Sequence, residues 1–147
     1  EVGDRGSSIE TTSVIGLVVA KTKLDPIKAI LDLRTLLRER PWEFKYTLKI
    51  VPIQKVVEAK IPVIQQTALL LAEGIGHKQK FRITVENRHT SLSSKDIIET
   101  VAKGIERTVD LDAPDRIVLI EVIGDLAGLA LIETEDVLSV EREKRVA

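Results

Sequence analysis

Two long apolar segments near the end of the chain constrain its fold most strongly. Residues 117–123 and 126–132 are almost continuously apolar, as expected for strands that are covered on both faces. Only Gly124-Asp125 separates them, and this pair favours a two-residue hairpin turn. Gly128, inside the second strand, indicates a bulge or a close backbone approach. The sequence therefore predicts a buried β-hairpin.

A further strand and two amphipathic helices precede this hairpin. Residues 81–85 alternate apolar and polar side chains, a pattern typical of a strand with one buried face. Ser93 and Asp96 form a capping box, which starts a helix. The apolar stripe of that helix is Ile97, Ile98, Val101, Ala102 and Ile105. An earlier helix ends at Gly74 and Gly76, since glycine favours helix C-termini. Its stripe is Val63, Ile64, Thr67, Ala68, Leu71 and Ala72.

The first part of the chain predicts a strand, a helix and a second strand. Residues 14–21 are too apolar on both faces for an exposed strand, so we expect them at the centre of a sheet. Asp25 fits the N-cap of a helix and Pro26 its first position, and Pro41 ends that helix. Residues 44–51 alternate like a half-buried strand. The buried stripe of the helix is Ile27, Ile30, Leu31 and Leu37.

The sequence pattern changes at about residue 57, where we place a domain boundary. Residues 1–57 then form a small module and residues 58–147 a second domain. Within the second domain, residues 136–140 predict a short last strand and residues 141–147 a charged tail. The predicted fold class is α/β (α+β), with a mixed sheet and helices.

The composition excludes several classes of site. The chain has no cysteine, which excludes disulfides and thiol nucleophiles, and its two histidines do not support a His-rich metal site. Asp110, Asp112 and Asp115 fit a turn whose carboxylates cap the backbone better than a metal site. The longest apolar run, residues 14–20, is far shorter than the roughly 18 residues of a membrane span. We therefore expect a cytoplasmic protein with no membrane association, no metal and no cofactor.

Charge is distributed unevenly along a chain whose net charge is only −1. Residues 20–60 carry ten Lys or Arg against five Asp or Glu, and residues 77–107 carry seven against four. Residues 108–136 hold one basic residue, Arg116, against eight acidic ones. Such segregation allows one basic face on a nearly neutral molecule. The alternative is scattered, solvated charge.

Six polar side chains around the strand at residues 81–85 are candidates for RNA binding. Arginine and lysine donate charge-assisted hydrogen bonds to phosphates, and asparagine or histidine can contact a base or ribose edge. The free N–H groups of a helix start would add positive potential beside them. We therefore expect a single cationic corner of sheet and helix. The candidates are Lys80, Arg82, Asn87, Arg88, His89 and Lys95.

Alternatives to an RNA-binding surface remain open at this level. Arg82 and Arg88 could instead form ordinary ion pairs with Glu86 and Asp96. The chain has one Trp, one Tyr and two Phe, so a sheet that stacks several bases is unsupported. Trp42 fits a packing anchor between the two halves better than a stacking platform. No phosphate-binding glycine loop and no nucleophile elbow occur, so we expect a binding module and not an enzyme.

Several motifs in order resemble a THUMP domain over about residues 58–147. They are residues 81–89, Val109-Asp110-Leu111 with Pro114-Asp115, residues 118–124, and Gly128. The preceding part resembles the N-terminal ferredoxin-like module that accompanies THUMP domains. Its matching segments are Leu24-Asp25-Pro26, Arg40-Pro41-Trp42 and Ile50-Val51-Pro52. The first strand and helix of such a module have no counterpart, so we expect a truncated module.

This resemblance implies a function in tRNA modification. THUMP domains bind tRNA, commonly near its 3′ acceptor end, and the family's basic positions match Arg82, Arg88 and His89. The chain is similar to small archaeal THUMP proteins related to the eukaryotic adaptor of tRNA cytidine acetylation. The resemblance therefore implies a tRNA-binding adaptor that presents tRNA to a separate acetyltransferase, which uses acetyl-CoA to make N4-acetylcytidine.

Two other functions and one assembly are also consistent with the sequence. The chain could be the RNA-binding portion of a larger tRNA-modifying enzyme, a thiouridine synthase or a methyltransferase. It could also be a structural or protein-interaction module with incidental basic residues. A module that lacks its first strand would expose a sheet edge, which predicts a homodimer through that edge.

Overall fold

The computed structural model describes residues 3–146, which divide into two compact units. The first unit contains the described residues up to Ile9, Ala20–Pro52, and the described residues from Glu135 onward. The second unit contains Glu10–Val19 and Ile53–Thr134. No helix within this described range has the length and apolar character needed to cross a membrane.

Nine strands and four α-helices make up the described chain. In order they are β1 (Ser8–Thr11), β2 (Val18–Lys21), α1 (Pro26–Glu39), β3 (Lys49–Ile50), β4 (Lys55–Glu58), α2 (Ile61–Ala72), β5 (Lys80–Arg88), α3 (Ser94–Ala102), β6 (Thr108–Val109), β7 (Arg116–Ile123), β8 (Leu126–Ile132), β9 (Leu138–Ser139) and α4 (Val140–Val146). Two 3₁₀ turns are also present, at Pro41–Phe44 and Thr134–Asp136.

The second unit is built on a five-stranded mixed sheet in the order β4-β8-β7-β5-β6. β5 runs parallel to β6 and β7, whereas the β7–β8 and β8–β4 pairs are antiparallel. The parallel β5–β7 pair requires a crossover connection, which contains α3 and β6. Side chains of α2 and α3 form a core with the sheet. Its fully buried residues include Ile64, Phe81, Ile97, Val118, Ile120 and Leu129. The predicted α/β fold class is confirmed.

The register of β5 against β7 separates the side chains of β5 into two sets. Aligned residues of neighbouring strands share one face of a sheet. Ile83 is aligned with Val118, which lies in the helix-covered core, so Ile83 and Phe81 belong to the helix-covered face. The alternating residues lie on the opposite face. They are Lys80, Arg82, Thr84, Glu86 and Arg88.

The predicted hairpin is confirmed by β7 and β8. Gly124 has φ of +60°, the left-handed conformation that a tight hairpin turn favours. Gly128 forms no bulge, because the residues of β8 follow a regular register and Gly128 is aligned with Glu121. The group that approaches Gly128 closely is the Ile53 side chain, because a Cβ atom added at Gly128 would lie 2.9 Å from Cγ2 of Ile53. Glycine is therefore needed here for packing.

Two predicted helix starts are confirmed by their capping hydrogen bonds. The Asp25 carboxylate accepts from the backbone N–H groups of Ile27 and Lys28 at 2.9 and 3.2 Å. The Ser93 hydroxyl accepts from the Asp96 N–H group at 3.2 Å. Two residues of the predicted buried stripes are exposed instead, Leu31 of α1 and Ile98 of α3.

The central strand predicted over residues 14–21 is wrong in both length and burial. Only β2 is extended; it pairs with β1 in a two-stranded sheet, and all residues of both strands are exposed. Residues 12–17 form a turn, in which the Thr12 hydroxyl donates to the Leu17 carbonyl at 2.9 Å and accepts from the Val14 N–H group at 3.1 Å. Apolar composition alone does not distinguish a central strand from an isolated hairpin.

The strand predicted over residues 44–51 is also mostly wrong. Phe44 ends a 3₁₀ turn, and its side chain packs with Ile30 and Leu37 in the core of the first unit. Only β3 remains extended, and it pairs with β9, the predicted short last strand. The predicted charged tail is the helix α4, although Ala147 lies outside the described residues. Arg34 of α1 forms a 2.9 Å ion pair with Glu143 of that helix.

The two units do not follow the predicted boundary between residues 1–57 and 58–147. The chain passes between the units at Pro52 and Ile53, because β4, a strand that no sequence pattern predicted, pairs with β8 of the second unit. The residues from Glu135 onward return to the first unit, because β9 pairs with β3.

Candidate nucleic-acid interface

The candidate residues lie along β5 and at the start of α3, not at one corner. Lys80 and Arg88 are the first and last residues of β5. Eight residue steps of about 3.3 Å each separate them by roughly 26 Å. The expected single cationic corner is therefore wrong. Lys80 and Arg82 form one group at the start of the strand, and Arg88 and His89 form another at its end.

The group at the start of β5 is exposed. The Lys80 side chain is 54% exposed, and its Nζ lies 3.9 Å from Oδ2 of Asp110. Arg82 is exposed, and its Nη1 donates to the Leu111 carbonyl at 2.9 Å. A guanidinium carries five N–H donors, so this one bond leaves others for a phosphate. Arg82 is thus oriented by the protein and still available to a ligand.

A capped turn at residues 110–113 lies beside this group. Oδ1 of Asp110 accepts from the N–H groups of Asp112 and Ala113, both at 3.0 Å. The Ala113 bond, then the Asp112 bond, and then the charge of Lys80 hold the pKa of Asp110 below its ordinary value. The carboxylate of Asp115 accepts from the Lys80 backbone N–H group at 2.8 Å. The predicted cap of this turn is confirmed for Asp110, whereas Asp115 instead caps the start of β5.

Arg88, at the end of β5, is committed to a structural ion pair. Its Nη1 donates to Oε2 of Glu121 on β7, and the Glu121 side chain is only 8% exposed. The exposed Glu86 is aligned with Glu121 on the neighbouring strand, so two acidic residues share this part of the face. Arg88 therefore balances the buried charge. The sequence had suggested Glu86 or Asp96 as its acidic partner, but the partner is Glu121.

His89 follows β5 in an unusual conformation. Its φ is +53°, in the left-handed region that few residues other than glycine adopt. Its Nδ1 lies 3.0 Å from the Ser13 hydroxyl, and the ring is exposed. Ser13 is a neighbour that sequence reasoning missed, because 76 residues separate it from His89 and no local pattern links them.

Asn87 and Lys95 occupy different surroundings. Asn87 lies on the helix-covered face, where its Nδ2 donates to the Leu92 carbonyl at 2.8 Å and orders the loop before α3. Its Oδ1 is buried without a hydrogen-bond partner among the described residues. Lys95 is 81% exposed in the first turn of α3 and lies 3.9 Å from Glu99. Such an exposed pair is weak, so Lys95 remains available.

Four of the six candidates are therefore exposed cations or potential cations: Lys80, Arg82, His89 and Lys95. Their chemistry suits contacts to phosphate and ribose groups. Across residues 3–146, no group of three or more His, Cys, Asp or Glu side chains could hold a metal ion. The expectations of no cofactor and no catalytic role stay predictions.

Comparison with known proteins identifies the segment that carries these residues. The sequence profile of the THUMP domain matches residues 58–131, half of the chain, which include β5, α3 and β7. No functionally curated protein matches the chain.

Two solved structures that align with the chain belong to longer proteins. PH1313 from Pyrococcus horikoshii Ot3 aligns with a TM-score of 0.62 and 22% identity, over 90% of this chain and 42% of that one. TrmN from Thermus thermophilus aligns with a TM-score of 0.47 and 20% identity, over 63% of this chain and 31% of that one. The chain thus spans less than half the length of either protein, and the PH1313 alignment shows that it shares that fold.

Proposed function

Because the chain belongs to the THUMP domain family, which implies RNA binding in tRNA modification, we propose that it is a tRNA-binding adaptor. In this proposal it presents tRNA to a separate acetyltransferase that makes N4-acetylcytidine, and it has no catalytic residues of its own. The observation that carries the proposal is the family match over residues 58–131, the segment in which β5 displays its exposed cations.

The geometry of β5 supports contacts to the RNA backbone. β5 pairs with β7 from Phe81 to Arg88, and Lys80 pairs with Thr108 of β6, so the backbone that carries Lys80 and Arg82 is held in place. Both side chains lie on the face opposite the helices, and neither faces a buried acidic group. Charge-assisted hydrogen bonds from such side chains position a nucleic acid without reading its sequence.

Binding by so few cations should be weak and sensitive to salt. Each neutralised phosphate contributes a slope of about −0.7 to −0.9 in log K against log salt. Three or four contacts then reduce the affinity about 20- to 150-fold between 50 and 200 mM salt. The net charge of −1 provides no additional attraction to a polyanion.

A direct test compares tRNA binding by two charge-reversal variants. Arg82→Glu removes a cation from the interface, whereas Lys28→Glu makes the same change in net charge at an exposed position of α1. Fluorescence anisotropy at low salt should show a loss of tRNA affinity of about tenfold or more for Arg82→Glu alone. Equal affinities of both variants, or no preference for tRNA over duplex DNA, would contradict the proposal.

The adaptor role itself requires an activity assay. A tRNA acetyltransferase, acetyl-CoA and substrate tRNA are combined with and without the chain, and N4-acetylcytidine is quantified by mass spectrometry of digested tRNA. The proposal expects the chain to raise the yield and Arg82→Glu to remove the increase. Acetylation that proceeds equally without the chain would refute the adaptor role.

A second candidate function is the RNA-binding portion of a larger tRNA-modifying enzyme. The observation that favours it is that the chain covers only 42% of the length of PH1313, with which it shares its fold. The gene sequence on both sides of these 147 residues distinguishes the two candidates. An adjoining nucleotide-binding domain would favour the larger enzyme over the adaptor.

A homodimer is a further part of the proposal. The β1–β2 and β3–β9 sheets have no third strand within residues 3–146, so their outer edges can pair with another chain. Light scattering at increasing protein concentration is expected to detect the dimer. A strict monomer at high concentration would exclude it.

A further inference from the structure

The short segment that follows α1 exposes two aromatic side chains. Trp42 is 63% exposed and Tyr46 is 94% exposed, whereas Phe44 between them is only 7% exposed. The Trp42 side chain therefore lies mostly in solvent. Tryptophan is among the residues that proteins usually bury to a large extent, so an exposed Trp four residues before an exposed Tyr indicates a binding surface.

The local fold explains this exposure. The Pro41–Phe44 turn directs the Phe44 side chain into the core of the first unit, where it packs against Ile30, Leu37 and Leu138. Trp42 and Tyr46 flank Phe44 at a distance of two residues each and remain outside that core. The first unit therefore uses one aromatic side chain of this segment for stability and leaves two in contact with water.

Cationic side chains accompany the two rings. Lys45 lies between Trp42 and Tyr46 in the sequence, and Lys49 follows; both are exposed, and no acidic side chain pairs with either within the described part of the chain. Arg38, in the last turn of α1, is 61% exposed and lies 3.4 Å from Glu143. Residues 38–49 hold four Lys or Arg against two Glu, so this segment carries a net charge of +2 as well as apolar area.

A small hollow adjoins the same segment. It has a volume of about 260 Å³ and is lined by Leu37, Arg38, Pro41, Glu143 and Lys144. Pro41 directly precedes Trp42, and Nζ of Lys144 donates to the Phe44 carbonyl at 3.4 Å. The hollow thus lies beside the start of the Pro41–Phe44 turn, and its charged lining is two cationic side chains and one carboxylate.

We propose that Trp42 and Tyr46 form a stacking site for unpaired nucleotides of RNA, with Lys45 and Arg38 contacting the adjacent phosphates. Single-stranded nucleic acids are bound by this combination, in which aromatic rings stack on bases and basic side chains follow the backbone. The positive charge beside the rings favours a polyanion over an apolar protein partner. Inside a duplex each base is stacked on its neighbours and only the two end pairs have a free face, so the site favours unpaired segments.

This inference rests on the proposed function, because both assume that the ligand is RNA. It adds a contact in the first unit that differs in chemistry from the cations of β5. Stacking tolerates every base, since each base has an aromatic face, so the site should show little sequence preference. Removal of a stacking ring should lower affinity for single-stranded RNA about 5- to 100-fold.

Tryptophan fluorescence provides a direct test with the full chain. Trp42 is the only tryptophan, so its emission reports on this site alone. We expect saturable quenching by a hexauridine oligonucleotide and none by duplex RNA of the same length. Trp42→Ala and Tyr46→Ala should each lower hexauridine affinity in an anisotropy titration, and Trp42→Phe should retain most of it. Leu48→Ala removes an equally exposed but aliphatic side chain and should bind as the parent does.

The outcomes separate this inference from the proposed function. Absence of quenching by hexauridine, together with parent-like affinity of the Trp42→Ala variant, overturns the stacking site even when Arg82→Glu abolishes tRNA binding. Quenching that persists when Arg82→Glu has no effect on tRNA binding supports the stacking site and counts against the β5 interface. Quenching by duplex RNA and hexauridine alike overturns the selectivity for unpaired nucleotides.

Discussion

Replacing Arg88 by leucine should mainly reduce stability, although Arg88 was one of the candidate RNA contacts. The substitution leaves the Glu121 carboxylate, which is 8% exposed, without its cation and aligned with Glu86 on the same face. Breaking a fully buried ion pair costs about 3–5 kcal/mol. Exposed pairs contribute only about 0.2–1 kcal/mol. Because the Arg88 side chain is 30% exposed, water can replace part of its role, and we expect a loss of about 2 kcal/mol.

This loss should be measurable as a change in melting temperature. For a chain of this size, each kcal/mol corresponds to about 2–4 °C, so Arg88→Leu should melt about 4–8 °C lower by circular dichroism. Arg82→Leu is the matched control, because Arg82 is exposed and donates to one carbonyl; its change should stay within about 0.5 kcal/mol. At a temperature where both are folded, only Arg82→Leu should lose tRNA affinity.

A double variant tests the cause of the effect. Replacing both members of a buried ion pair by apolar residues is often neutral, because no unpaired charge remains. Arg88→Leu combined with Glu121→Leu should therefore recover most of the stability lost by Arg88→Leu alone. If Arg88→Leu melts with the parent protein, or if the double variant is less stable than Arg88→Leu, the Arg88–Glu121 pair does not have the assigned role.

Three further predictions concern the second unit. Hydrogen bonds lower the pKa of Asp110, so the Asp110 carboxylate should stabilise the 110–113 turn above its ordinary pKa of 3.8 and lose this effect as the pH falls through the lowered value. Amide exchange at Ala113 should show this loss. A turn that stays unchanged on acidification to pH 2 would contradict the prediction. Gly128→Ala should lower the free energy of unfolding by about 1–3 kcal/mol in a denaturant titration, because the new Cβ atom clashes with Ile53. Adding Ile53→Ala should make the loss from Gly128→Ala smaller. If the two losses simply add, the clash is not the cause. Ser93→Ala should cost about 1 kcal/mol through the lost α3 cap, with Ser91→Ala as an exposed control that should melt with the parent.

Local signals in the sequence predicted the elements whose determinants lie within a few residues. The Asp25 and Ser93 caps placed the starts of α1 and α3, and Gly124-Asp125 placed the turn between β7 and β8. Each of these depends on short-range hydrogen bonds or on one backbone conformation, so the nearby residues are sufficient. The same holds for the cationic side chains of β5, because alternation along a strand assigns them to one face.

Tertiary structure decided which of these residues pair, which are buried and how far apart they lie. Arg88 meets Glu121 because β5 and β7 are adjacent, and Ser13 meets His89 across 76 residues of sequence. β2, at the end of the apolar run 14–21, is exposed because within residues 3–146 it pairs only with β1. Burial and ion pairing depend on which segments become neighbours in space. Short-range sequence patterns do not identify those neighbours.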